Sequence, residues 1–449
     1  MFAHDRSWKR SPLARTLVTL AAAPALSLLF AFAAPMVRAE APIYALHDLG
    51  TLPGETFSIP WAINASGQIV GWSGVSPPRA FIYKGSGMVA LPGLPGQTYT
   101  LARGINDAGV VVGGGWAPGG AEVALRWNGG VPEALGVIEG SSESWDINEA
   151  GVSIGSSPTP GGGLTGHAFM HTDAGGMVDI APTGNAGAFD VNDRGDVTGT
   201  FNNGAFLWSP KTGLQFLGSL PDFTYGNGRA VNNAGQVAGF SVNGYGNSSR
   251  VWRYTPGVGM VNLGGVGESN VVWGMNSQGD IVGQGTPAPG GLKRAIVYTD
   301  ALGLRALNDL IDASPRWFLL AATDINDAGQ IVAYGLDNVS GLQKAVRLDP
   351  IPRAGVEGVP APRALQLAPP VPNPSKGESR FVLTLGRAQR VSVGVYDVAG
   401  HQVASLHDGL LDPGSHPFQL DGRGLPSGLY FIQARGEGGT TTQRFTIFR

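Results

Sequence analysis

An asparagine followed three places on by a glycine, and then by an apolar stretch that usually closes on a second glycine, occurs seven times in this chain. The clearest copies run from Ala62 to Gly71 and from Asp324 to Val332, and the anchor residues are Asn64, Asn106, Asn148, Asn192, Asn232, Asn276 and Asn326. Their spacings are 42, 42, 44, 40, 44 and 50 residues. A period in that range marks a repeat architecture, each repeat being one supersecondary unit that buries its apolar face on its neighbours. Asparagine suits the first position of a type I turn, and glycine at the fourth supplies the positive φ of a tight hairpin with a bulge. Each copy therefore reads as strand, turn, strand.

Composition agrees with short strands. Of 449 residues 70 are glycine and 32 proline, with only 14% charged, a mixture that starves long helices. Cysteine is absent, which removes disulfides, thiolate metal sites and thiol nucleophiles. At the N-terminus Arg6, Lys9, Arg10 and Arg15 precede an apolar run from Leu17 to Val37, followed by small residues at Ala39 and Ala41, the pattern of a cleaved signal peptide over residues 1–39. The run is nearly long enough for an uncleaved anchor, but Pro24, Pro35 and the small-residue site favour cleavage. Five basic residues leave with that segment against Asp5 alone, so the formal charge moves from −3 to −7. A mildly acidic protein is a poor partner for nucleic acid, and no later stretch is long and apolar enough to cross a membrane.

Each unit continues into a third strand, as in Arg79 to Tyr83 or His167 to His171, and after a glycine turn into a fourth, as in Met88 to Leu91. The seventh unit stops after its third strand, Lys344 to Leu348, while Ile43 to Gly50 has the fourth-strand pattern with no unit before it. A closed ring whose first strand completes its last blade accounts for both facts. The expectation is an all-β chain: a seven-bladed β-propeller over residues 42–350 followed by a small C-terminal β-sandwich. An open solenoid would need polar capping repeats instead. The longer, variable connections, Gly114 to Gly120, Ser156 to Gly166, Asn243 to Ser249 and Gly285 to Gly291, share one face, where a rigid scaffold places its binding surface.

One repeat position concentrates chemistry. Three places before the anchor asparagines stand Trp61, Arg103, Trp145, Phe189, Arg229, Trp273 and Thr323. These are either stacking platforms and guanidinium donors for a sugar or extended polymer, or wedges packed between blades. One place later, Asp146, Asp190 and Asp324 either present carboxylates near the axis or bond to backbone amides of a neighbouring turn.

Other resemblances to chemical motifs are accidental. Gly151 to Gly155 matches a nucleophile elbow, yet Ser153 falls in a second strand rather than between strand and helix. Gly161 to Gly166 has no helix after it to receive a phosphate, and Asp324 to Gly329 lacks a calcium ligand at Ala328. His167 and His171 share a strand face without a carboxylate pattern beside them. No cofactor or metal is indicated.

Seven prolines between 351 and 374 mark a semi-rigid linker, and six alternating segments between 375 and 449 mark the sandwich.

The repeats resemble the HAF family of bacterial extracellular repeats, through His167-Ala168-Phe169, its variants Arg79-Ala80-Phe81 and Gly204-Ala205-Phe206, and the Asn-x-x-Gly-x-Ile-Val-Gly core. They depart from it at Ser153 and Ala333. That resemblance implies export and a propeller-like fold, with no activity to carry over. The tail is similar to the immunoglobulin-like domain of hook-capping proteins and to the C-terminal sorting domain of type IX secretion. The matching residues are Pro372-Asn373-Pro374, Val395 to Gly400, Asp421-Gly422-Arg423 and Leu425 to Phe431. It implies passage across an outer membrane, with export machinery as a partner. The expectation is a secreted or surface-displayed protein that binds an extracellular carbohydrate or protein. The alternative is a secreted propeller enzyme, a glycoside hydrolase or polysaccharide lyase.

Overall fold

The computed structural model describes residues 43–158, 166–244, 248–288, 290–311, 316–351, 365–385, 389–411, 414–436 and 439–448. The expected export signal, the glycine run 161–165 and most of the proline-rich segment lie outside them. Strands dominate the described residues, with a single 3-10 turn at Leu307–Asp309 and no helix long and apolar enough to cross a membrane.

Seven four-stranded antiparallel units follow one another, the third and fourth joined by one bridging pair, Gly166 with Ala186. In the first, Ser58–Ile63 is innermost, followed outward by Ile69–Ser73, Arg79–Tyr83 and Met88–Ala90. The seventh consists of Trp317–Ile325, Ile331–Asp337 and Leu342–Pro350, with Tyr44–Gly50 as its outer strand. That strand pairs Leu46 with Leu348 and Asp48 with Val346, so the start of the described chain completes its last unit. The fold is the all-β propeller expected from the repeats.

The anchor asparagines explain both the turn and the ring. Every one accepts the backbone N–H four places on with its Oδ1, at 2.9 to 3.1 Å, while the glycine three places on takes φ of 75° to 81°. The amide's other end looks outward. Nδ2 of Asn64 donates to Asn106 O, Asn106 to Asn148 O, Asn148 to Asn192 O, Asn192 to Asn232 O and Asn232 to Asn276 O; Asn326 donates to Asn64 O across the closure, while Asn276 Nδ2 donates to Asp280 Oδ2 of its own turn. In six of the seven anchors a side chain that is 3 to 7% exposed thus bonds two backbone groups in two different units. Asn148→Ala strands Val152 N–H, costing about 1–3 kcal/mol, and removes one of the two hydrogen bonds on Asn192 C=O, which keeps the one from Gly195 N–H. The expected loss is on the order of 2–4 kcal/mol in urea denaturation, and a loss below about 0.5 kcal/mol would show the ladder to be incidental.

The tail is a two-layer sandwich. Gln366–Leu367, Glu378–Leu385 and Gly414–Asp421 form one sheet, and Gln402–Leu411, Gln389–Tyr396, Gly428–Gly436 and Gly439–Ile447 form the other. Phe381, Val393, Val395, Ile432 and Phe445 fill the space between them. The linker expected over residues 351–374 is corrected here, because residues 365–374 belong to the sandwich. Leu365 and Leu367 are buried in its core, Val371 bridges Arg380, and Asn373 bonds Arg444 O and Thr446 N. Proline is tolerated there because this segment lies at an edge, where a missing donor breaks no ladder.

Candidate functional site

In every unit the inner strand carries an extra residue relative to the strand beside it. The register slips between Pro60 and Ala62, Ala102 and Gly104, Ser144 and Asp146, Ala188 and Asp190, Gly228 and Ala230, Val272 and Gly274, and Ala322 and Asp324. The residues left over are Trp61, Arg103, Trp145, Phe189, Arg229, Trp273 and Thr323, the position singled out in the sequence. A β-bulge releases its extra residue from the ladder and re-aims the side chain.

The closing glycine of the repeat makes the bulge possible. Gly113 pairs with Ala102, and a Cβ on it would lie 1.9 Å from Leu101 O; on Gly155 it would lie 2.1 Å from Glu143 O and 2.6 Å from Phe169 Cζ. The bulged backbone presses on one side of this glycine and a large third-strand side chain on the other. The seventh unit, where Ala333 replaces the glycine, pairs it with Val346, smaller than the Phe, Trp, Leu or Ile opposite the glycine in the other units, and has a second register slip between Leu319 and Ala321.

Six of the bulge residues form one cluster. The Trp61 ring centroid lies 6.0 Å from Trp145 and 5.3 Å from Trp273, residues of the third and sixth units, so these side chains meet across the ring. Trp145 meets Phe189 edge-on at 5.6 Å. The Arg103 guanidinium lies 4.4 Å from the Trp61 centroid and 4.5 Å from that of Trp145, while Arg229 lies 4.0 Å from Phe189 and 5.2 Å from Trp273. Guanidinium over ring is a cation–π arrangement, stronger where water is scarce. All six residues are partly buried, none fully so. Thr323, in contrast, is buried and donates to Pro60 O at 3.1 Å, wedged between the seventh and first units.

The two arginines differ in charge environment. Arg103 Nε is 2.7 Å from Glu143 Oε1, with both side chains largely buried. Beside that pair, burial and then Glu143 push the Glu122 carboxyl up to about 8, against the pull of Arg103, and its buried Oε1 has no partner. Sequence reasoning missed Glu122 and Glu143, which have no counterparts at equivalent repeat positions. Arg229 is enclosed, and its pKa falls to about 10 through burial first and Arg103 second, so it stays charged at neutral pH.

The three aspartates sit one residue beyond the bulge. Asp146 accepts Val191 N–H at 3.1 Å, Asp190 accepts Val231 N–H at 2.5 Å, and Asp324 accepts Ile63 N–H at 2.9 Å, each from the following unit. Space for them comes from small neighbours: a Cβ on Gly104 would lie 3.0 Å from Asp146 Oδ1, and one on Gly274 2.7 Å from Asp324 Oδ1. Burial raises all three, Asp324 to about 7, and the neighbouring Asp190 charge pushes Asp146 up further.

One sequence reading is revised by the contacts. His167 has carboxylate neighbours after all, with Nδ1 2.7 Å from Asp179 and Nε2 3.4 Å from Glu139; the Asp179 bond is the main reason its pKa rises. Asp179 lies twelve residues on and Glu139 twenty-eight before, which no local pattern shows. Ser153 is buried mid-sheet, paired with Ile147 and His171, and offers no exposed nucleophile.

Comparison with known proteins adds the address. No curated protein sequence matches this chain. The chain is similar to virginiamycin B lyase from Staphylococcus aureus, solved with quinupristin, at 12% identity and a TM-score of 0.46, covering 69% of this chain and 100% of that one. It is also similar to PorZ of Porphyromonas gingivalis, described as an essential bacterial surface component of the type-IX secretion system. That match has 12% identity and a TM-score of 0.41, covering 89% of this chain and 60% of that one. The family of secretion system C-terminal sorting domains matches residues 371–448, and a domain of that kind places the protein at the cell surface or in the extracellular space.

Proposed function

We propose that this is an exported binding protein whose propeller receives an extracellular ligand at the bulge cluster and the loop-bearing face, and whose tail serves as the address for type IX export machinery. The observation that carries this reading is the repeated bulge. Seven units each depart from regular pairing at the same place, and six of the released residues are aromatic or arginine and only partly buried. Side chains of that type recognise ligands with little loss of conformational freedom.

A glycoside hydrolase would need two carboxyl groups about 5–9.5 Å apart across a substrate. Asp146 and Asp190 are occupied by backbone N–H groups of the following units, which favours binding over hydrolysis.

A screen of the purified protein against a glycan array and soluble extracellular proteins tests the reading. Trp61→Ala, Trp145→Ala and Trp273→Ala are expected to weaken a hit by about tenfold or more, with Trp61 strongest because it touches both other indoles. Undiminished binding in all three variants would remove the axis from the contact surface, and turnover of a bound glycan would restore the enzyme.

A further inference from the structure

We infer that Arg229 is the anchor for a carboxylate on the ligand, the ligand's body lying against the neighbouring indole rings; this rests on the binding reading above and names the chemistry it recognises. Arg229 is the bulge residue of the fifth unit, released between Gly228 and Ala230. Aromatic rings occupy the flanks of its guanidinium: Phe189 at 4.0 Å, Trp273 at 5.2 Å and Phe240 at 5.8 Å. Its Nε is buried without a hydrogen-bond partner, and among the described residues no carboxylate or acceptor is paired with the group. The nearest charge acting on it is another cation, Arg103, whose own counter-charge is Glu143.

An enclosed cation without a counter-ion is unfavourable, and an apolar side chain of similar volume would pack there at lower cost. The rings crowd the flanks of this guanidinium, and no protein acceptor satisfies its buried Nε–H. The N–H edge of a guanidinium presents parallel donors matching the two oxygens of a carboxylate, a geometry lysine does not reproduce. Arg103 adds positive potential without competing for the anion, since Glu143 already holds its Nε. Trp273 beside the guanidinium, and Trp145 beyond Phe189, are partly accessible and suit a ligand whose carboxylate is borne on a ring.

Thermal shift on the purified protein tests this with two charged probes, glucuronate and benzoate, against glucose and benzyl alcohol as uncharged controls. The two charged arms separate a sugar-borne carboxylate from an aromatic one. The expected result has three parts. Arg229→Met melts higher than the unliganded wild type, because an uncompensated charge is gone; at least one carboxylate raises the melting temperature of the wild type but not of Arg229→Met; and Arg229→Lys binds that probe about tenfold more weakly, having charge without the fork. A lower melting temperature for both variants identifies Arg229 as structural and overturns the inference, as does an equal carboxylate shift in wild type and Arg229→Met or no shift in any arm. If a hit from the broader screen binds Arg229→Met as tightly as wild type, the carboxylate assignment fails while the binding function stands. If no hit exists but Arg229→Met is stabilised and a carboxylate shift is seen, the reverse holds.

Discussion

Deletion of residues 43–50 is expected to abolish cooperative folding of the propeller, shown by loss of the urea transition and an expanded elution volume. The strand Tyr44–Gly50 makes the closing ladder with Leu342–Pro350, and its ends are pinned as well. Ile43 N–H donates to Leu310 O at 2.8 Å, Ile351 N–H to Ile43 O at 2.9 Å, and Ser58 Oγ to Gly50 O at 2.7 Å. Tyr44 and Leu49 are 7% and 6% exposed, and Leu46 packs against the core that holds Leu348. Burial of two such side chains contributes about 1.5–3 kcal/mol each, and each ladder bond about 0.5–1.5 kcal/mol. The sum reaches the 5–15 kcal/mol that ordinarily separates folded from unfolded chains. Removal would also expose Leu342–Pro350 as an unpaired apolar edge, a template for aggregation. A peptide spanning residues 42–51 added in excess should restore the transition. An unchanged urea midpoint in the truncated protein would mean that the ring does not depend on this strand.

The second large effect is on pH. Asp324 titrates near 7 in the folded protein against an ordinary 3.8, because burial disfavours its charge more than the Ile63 and Ile325 N–H groups favour it. The folded state therefore holds this proton more tightly than the unfolded state. The stabilisation is fully present below about pH 4 and is lost as pH rises through 7. Asp146 and Asp190 act in the same direction, burial again being the first cause. For Asp324 alone the span is on the order of 2–4 kcal/mol. Asp337, Asp349 and Asp196 have lowered pKa values and oppose this only in acid, where their protonation removes the Arg316, Arg347 and Arg194 interactions. Maximal stability is thus expected near pH 5, with a melting temperature several degrees higher there than at pH 8. Asp324→Asn should flatten the alkaline side of the profile. Parallel profiles for Asp324→Asn and wild type would show that the carboxyl titrates normally.

Much of this was open to a reader of the sequence, for a physical reason. Turn chemistry is local: asparagine, positive-φ glycine and alternating side chains act within about ten residues, so the Asn64 to Gly71 pattern specifies a hairpin wherever it occurs. The third strand of the first unit, Arg79–Tyr83, has the limits read from its alternation. Displacement of a fourth-strand pattern to Ile43 already implied closure, and pairing with Leu342–Pro350 realises it. The tail's matching stretches pointed to a sorting domain in the same way.

Seven recurring hairpins, their ring and their route out of the cell were thus written in the order of residues, because each depends on neighbours in the chain or on counting units. The partners that make a site were not. Trp61 meets Trp145 and Trp273 across gaps of 84 and 212 positions, and Asn326 reaches Asn64 across 262. Why a second glycine recurs in the repeat shows only once folding places it against a bulged carbonyl. Arg103 and Arg229 occupy one repeat position and are indistinguishable as letters, yet one faces Glu143 and the other only aromatic rings. Which charge is left uncompensated depends on what the other units bring to the axis, and only the closed ring decides that.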